Sequence, residues 1–162
     1  MPTAVQLATE DGPLRIWPHR FALGATVVRN VYIGEDAGKW INLRLKSLES
    51  DGFFHGVERP REQLADIFRR VMINEPIDSF RPKTLIEHPD WLHELRTPDL
   101  RVFGWFWRQR DFIASAIATK ADLRANKIAY SGCLEQCRAH RTNLDLDPPK
   151  FIEGDINDIL RI

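Results

Sequence analysis

The chain carries no net charge, has almost no cysteine and contains no long apolar run, and each absence removes a class of protein. Lys plus Arg and Asp plus Glu each number 23 in 162 residues. No global field therefore draws in nucleic acid or an anionic membrane, and any basic site has to be local. The two cysteines, Cys133 and Cys137, lie too close together to build the disulfide framework of a small secreted domain. A reducing cytoplasm is the expected compartment. No stretch approaches the ~20 apolar residues of a spanning helix. The opening MPTAVQLATEDGPLR lacks a basic n-region and an apolar h-region, so neither export nor membrane contact is expected. There is no Walker loop, no G-x-G-x-x-G and no G-x-S-x-G, which leaves nucleotide hydrolysis, dinucleotide chemistry and serine esterase chemistry without support. Cys133-x3-Cys137 with His140 falls short of the about four ligands of a structural zinc. No metal and no cofactor are expected.

What is present is the composition of one globular domain, 43% hydrophobic and 28% charged, with room for a small extension. Residues 1–24 hold Gly12, Pro13, Pro18 and Gly24 and read as an irregular arm. The β-branched run Thr26–Ile33 predicts a strand that ends at Gly34. Ala37, Ile41, Leu45 and Leu48 then recur at helical spacing, with acids at the start and Gly52 beyond the end. A second helix follows from Pro60, its stripe made of Leu64, Ile67, Phe68 and Val71. Pro76, Pro82 and Pro89 mark an extended connection. WLHELR, LRVFGWFW and DFIASAIA read as three strands joined by turns at Pro98-Asp99 and Gln109-Arg110, an antiparallel meander. Tyr130, Leu134, Cys137, Arg141 and Leu144 form the stripe of a closing helix that Pro148-Pro149 prevents from continuing. The expected class is α+β, with a domain over residues 25–144 and an acidic tail over 145–162.

Charge is distributed unevenly along this plan. Residues 78–142 hold eleven basic side chains and eight acidic ones, and the tail is net acidic. A symmetric first hairpin sets Arg96 opposite Arg101, and a symmetric second one sets Arg101 opposite Ala118 with Lys120 diagonal to it. Two facing arginines repel unless an acid or a bound anion lies between them, and guanidinium forks suit anions. Glu94 is a candidate neutraliser. Phe103, Trp105 and Trp107 share the cationic face by alternation, whereas Leu95, Val102, Phe106, Ile113 and Ile117 line the other, the expected core. Cations beside rings are what single-stranded nucleic acid requires. In the alternative arrangement the closing helix covers the three rings, and Arg96 and Arg101 pair with Glu94 and Asp99. Alternation points His93 away from the arginines. A third arrangement has the acidic tail folded onto the cationic face as an internal inhibitor.

The element order, W-L-H-E-L-R at Trp91 to Arg96, Arg101 within L-R-V-F and the lead-in Arg81-Pro82-Lys83 together resemble the RelE/HigB-like toxins of the RelE/ParE superfamily, in particular their phage-derived branch. The likeness runs from about Thr26 to Leu144. It implies a strand, two helices, a three-stranded meander and a closing helix, and an RNase that cuts mRNA without a metal, usually in the ribosome. It also implies a cognate antitoxin protein as partner. Arg96 matches the arginine of the first meander strand, Arg101 that of the second, and Lys120 the basic residue after the last strand. These are the expected catalytic cations, with Lys83, Trp105 and Trp107 expected on the RNA. Leu92 and Glu94 stand where RelE-type toxins carry lysines. ParE-like relatives share the fold and act on gyrase. The alternative is a non-catalytic protein-interaction module of the same fold, of phage or mobile-element origin.

Overall fold

The computed structural model describes residues 1–19, 25–49, 58–75 and 84–161. Among them are six strands in one sheet, flanked on both faces by helices, so the class is α+β. The strands are β1 (Leu14–Ile16), β2 (Asn30–Gly34), β3 (Leu85–His88), β4 (Leu92–Arg96), β5 (Leu100–Arg108) and β6 (Asp111–Thr119). Their spatial order is β1-β2-β6-β5-β4-β3, and all neighbours are antiparallel except β2 and β6. The helices are α1 (Ala4–Leu7), α2 (Glu35–Arg44), α3 (Pro60–Met72), α4 (Lys120–Ala125), α5 (Lys127–Asn143) and α6 (Ile156–Leu160). None of the described helices is long and apolar enough to cross a membrane.

The expected meander forms with its turns in place: Arg96 pairs with Arg101, and Arg101 with Ala118. The remaining strands correct the expectation in two places. Within the arm, Leu14 is buried and anchors β1 onto β2, and Trp17 donates its backbone N–H to the Val31 carbonyl while its ring meets Phe68 edge-on. Residues 85–88 of the connection add the edge strand β3, paired with β4. Two further bounds shift. Val28 and Arg29 are held by hydrogen bonds to the Met72 carbonyl, so the first core strand begins only at Asn30. The first helix ends at Arg44 and tightens into a 3-10 turn at Leu45–Ser47.

Both faces of the sheet are core, which is the alternative arrangement in which the closing helix covers Phe103, Trp105 and Trp107. Leu95, Val102, Phe106, Phe112 and Ile117 pack with α2, α3 and α6. Phe103, Trp105, Trp107, Ile113 and Ala116 pack with α1, α4, α5 and the segment after Leu144. Ile113 thus lies on the face opposite to the expected one. The reason is a register shift between Phe103 and Gly104, which sets Trp105 rather than Phe106 across from Ile113. Gly104 permits the close approach: a Cβ there would lie 2.1 Å from the Ile113 carbonyl oxygen.

The tail is part of the fold. The Trp105 indole N–H donates to the Lys150 carbonyl and that of Trp107 to the Asp147 carbonyl, while Ile152 N–H reaches the Phe106 carbonyl. The chain then passes to the other face, where Ile156 and Ile159 of α6 enter the core. Arg29, buried, ties this end together by donating to the Gln109, Val71 and Ile159 carbonyls.

Two outcomes follow. Gly104→Ala should cost about 3 kcal/mol, because the clash is with backbone, and should lower the urea midpoint without changing the slope. Removing residues 145–162 strips Leu146, Ile156 and Ile159 from the cores, at about 1.5–3 kcal/mol each. That is a large share of the ~5–15 kcal/mol of a typical domain, so a circular-dichroism melt of the truncated chain should show little or no cooperative transition.

Candidate functional site

The meander brings one charged cluster together at the Arg96 and Arg101 end of β4 and β5. Glu94, two residues before Arg96 and on the same face of β4, is fully buried beneath the start of α5. Its Oε1 accepts from Arg96 Nε at 2.7 Å and lies 3.6 Å from Arg101 Nε. Its Oε2 lies 2.8 Å from His88 Nε2 of β3 and accepts from the Tyr130 hydroxyl of α5. The same hydroxyl is 3.1 Å from His88 Nε2. Arg101 is held further by donating from Nη1 to the Thr97 and Leu100 carbonyls at 2.6 and 2.8 Å.

Burial alone would push the Glu94 carboxyl up. Hydrogen bonds from His88, Arg96 and Tyr130 outweigh it and bring the group down to about 2. Tyr130 moves the other way, to about 12, through burial and its bond to Glu94. Burial, then the Arg96 charge, lowers the Arg101 guanidinium. Arg124, exposed on α4, is a third cation whose charge reaches Arg101. Two guanidinium groups therefore stand around one carboxylate, with a third near enough to act on Arg101. Arg96 stays partly open to solvent and Arg101 is 15% exposed, so the surplus positive charge is accessible to an anion.

The expected site residues divide into groups. Arg96 and Arg101 meet as facing cations, with Glu94 as their neutraliser. Lys120 opens α4 and is buried, its backbone N–H donating to the Asp99 carbonyl at 2.7 Å. Lys83 lies outside the described residues. Trp105 and Trp107 are corrected: both are buried, with their indole N–H groups taken by the tail, so no ring face is offered to a base. Packing favours this because each ring removes 150–250 Å² from water. The tail does fold onto the face that carries the rings, against Trp105, Trp107 and Arg108, but at the end of β5 away from Arg96 and Arg101, and it then crosses to the other face.

His88 and Tyr130 are the functional candidates that alternation along the meander did not supply. His88 sits on the unexpected edge strand β3, whereas Tyr130, with His140, is available on the closing helix from the sequence but matches no catalytic position of the family. His140, also on α5, is not part of the cluster: its Nδ1 lies 2.7 Å from the buried Ser115 hydroxyl. Cys133 and Cys137 pack from α5 into the core as free thiols, both pushed up by burial. Among the described residues no group of three or more His, Cys, Asp and Glu side chains could hold a metal ion.

His93 faces away from the arginines, as alternation requires. It is 1% exposed, meets Phe106 edge-on, and its Nδ1 has no hydrogen-bond partner. Burial, with the charges of His88 and Arg141, depresses it to about 4.

No protein-family model matches the chain, and no match is found among the curated proteins or the solved structures.

His93 and Glu94 are the most strongly depressed of the groups that set the acid limb of stability; burial lowers His140 as well. Below pH 6.5 the unfolded chain protonates its histidine while folded His93 stays neutral, so stability present at pH 7 is lost as the pH falls through about 4. The loss is roughly 3 kcal/mol. Glu94 repeats the pattern from 4.5 down to about 2. Urea midpoints measured from pH 7 to 3 should fall in both ranges. His93→Phe should reduce the fall in the upper range to the share that belongs to buried His140 and leave the lower range in place.

Proposed function

We propose that the protein is an RNA endonuclease of the RelE/HigB toxin type, cleaving messenger RNA in the ribosome and held inactive by a cognate antitoxin protein. One observation carries this reading: Arg96 and Arg101 face each other across β4 and β5 around a buried carboxylate that also holds His88 and Tyr130.

The chemistry needed is modest. The ribose 2'-hydroxyl attacks the adjacent phosphorus in line, the 5'-oxygen leaves, and a 2',3'-cyclic phosphate remains. The incoming phosphate is dianionic in character at the pentavalent stage, and preorganised guanidinium groups stabilise that charge. Arg96 and Arg101 serve here, with Arg124 adding field. Glu94 has no exposed surface, so it does not touch the substrate. It positions His88 by fixing the ring through Nε2, which leaves Nδ1 to take the 2'-hydroxyl proton and return one to the leaving oxygen. Tyr130, held above its ordinary range, remains protonated and anchors Glu94 Oε2, the oxygen that also faces His88 Nε2. Phosphate binding by arginines needs no net charge on the chain, because the surplus is local.

A 2'-deoxy substitution at the scissile nucleotide should abolish cleavage of an oligoribonucleotide, and added EDTA should leave it intact. Arg101→Ala should slow cleavage by about 10²–10³-fold and relieve the growth arrest caused by expression, while keeping a cooperative urea transition. RNA that is bound but never cut, together with unimpaired growth, would instead identify a non-catalytic interaction module of this fold.

A further inference from the structure

The sharp corner between β3 and β4 forms an open cavity of about 320 Å³, lined by Glu87, His88, Asp90, Trp91, His93 and Gly154. We propose that this cavity binds an organic cation, an ammonium or guanidinium group, at a site separate from the arginine cluster.

The corner is built at a cost in backbone strain. Asp90 and Trp91 both take left-handed conformations, with φ of 64° and 55°, which is unfavourable for an aspartate and more so for a tryptophan. Such strain persists only where the surroundings over-determine it, and it clusters at ligand sites. Here α5 over-determines it. Arg138 Nε donates to Asp90 Oδ2 at 2.9 Å, and Arg141 Nη1 donates to the Asp90 carbonyl at 2.6 Å. The Arg141 guanidinium also lies 4.0 Å over the Phe151 ring, and Phe151 stacks on Trp91 at 5.9 Å. One face of the indole is thus backed, while 39% of the residue stays exposed.

The cavity's chemistry selects the sign of the ligand. Glu87 and Asp90 line it, and Glu153 and Asp155 flank Gly154, against the two arginines of α5. Glu87 uses Oε1 to accept the Ile156 N–H and has a second oxygen to offer. His93, buried and neutral, keeps a ring nitrogen without a partner, and in one tautomer that nitrogen accepts a hydrogen bond. A rigid indole beside carboxylates and a neutral acceptor is the set that attracts a cation through ring, charge and hydrogen bond together. An anion meets the opposite field.

The test uses the full chain in calorimetric and NMR titrations with agmatine, with a blocked Gly-Arg-Gly peptide and with inorganic phosphate. Agmatine or the peptide should bind one to one and shift the Trp91 indole and His93 ring signals. Binding of both places no demand on what carries the cation, whereas binding of the peptide alone assigns the site to a side chain of a partner. Glu87→Gln keeps an acceptor for Ile156 N–H and should weaken binding by about tenfold or more. Trp91→Asn, which suits the left-handed backbone, should do the same at an unchanged or raised urea midpoint. Arg101→Ala should leave binding unaltered, which separates this site from the arginines of the proposed nuclease centre, with which it shares His88. Signals unmoved by either cation, or moved only by phosphate, would overturn the proposal.

Discussion

A fully buried carboxylate, Glu94, is the point around which the charged half of this sheet is organised. Two arginines directly opposite each other on adjacent strands repel, and the pairing of Arg96 with Arg101 would be a defect in the meander if nothing lay between them. A carboxylate buried alone would be equally unstable. Each resolves the other. The remaining lone pairs of Glu94 then recruit His88 from β3 and Tyr130 from α5, so the edge strand and the closing helix are fastened to the sheet by the same four oxygen-directed contacts. Because removing any partner exposes a buried charge, the cluster is rigid, and rigidity is what a phosphate-binding centre requires.

The sheet supports this cluster because both its faces are covered. Trp105 and Trp107 fill the space beneath α5 and hand their N–H groups to the tail, and the tail then rounds the sheet to deliver α6 to the other side. The chain's acidic end is therefore a strap, held by carbonyls and aliphatic side chains rather than by its charges. Its carboxylates remain largely on the outside, and Gly154 reaches the cavity at the β3–β4 corner.

Much of this was legible in the residues, and the limits of legibility have physical causes. The meander, its two turns and the Arg96–Arg101 pairing follow from short loops and period-two alternation, which are local properties. Glu94 as neutraliser follows from the same alternation. Ile113 was misplaced because a bulge at Gly104 depends on backbone approach across strands, and an isolated glycine in a strand signals a bulge without saying which way the register moves. The short edge strands β1 and β3 were missed for a related reason: three or four residues carry too little periodicity, and what stabilises them is pairing with a distant partner. His88 joined the site only because β3 exists. Burial of both tryptophans under the closing helix was one of two readings of the pattern, but the tail carbonyls that accept their N–H groups are main-chain positions, which side-chain pattern does not encode.

The zero net charge takes on a different meaning in three dimensions. Arg96 and Arg101 meet at one carboxylate with Arg124 nearby, while Glu87 and Asp90 line the corner cavity, where Arg138 and Arg141 bond to Asp90. At physiological salt, fields between exposed charges fade over about 8 Å, so a ligand near either patch feels that patch and not the total. A neutral chain can thus present an anion-accepting end and a cation-accepting corner on one sheet. His88 stands at the junction, bonded to Glu94 on one side and lining the cavity on the other. The two patches share a strand, β3, and the strained Asp90–Trp91 corner that fixes its end fixes both of them.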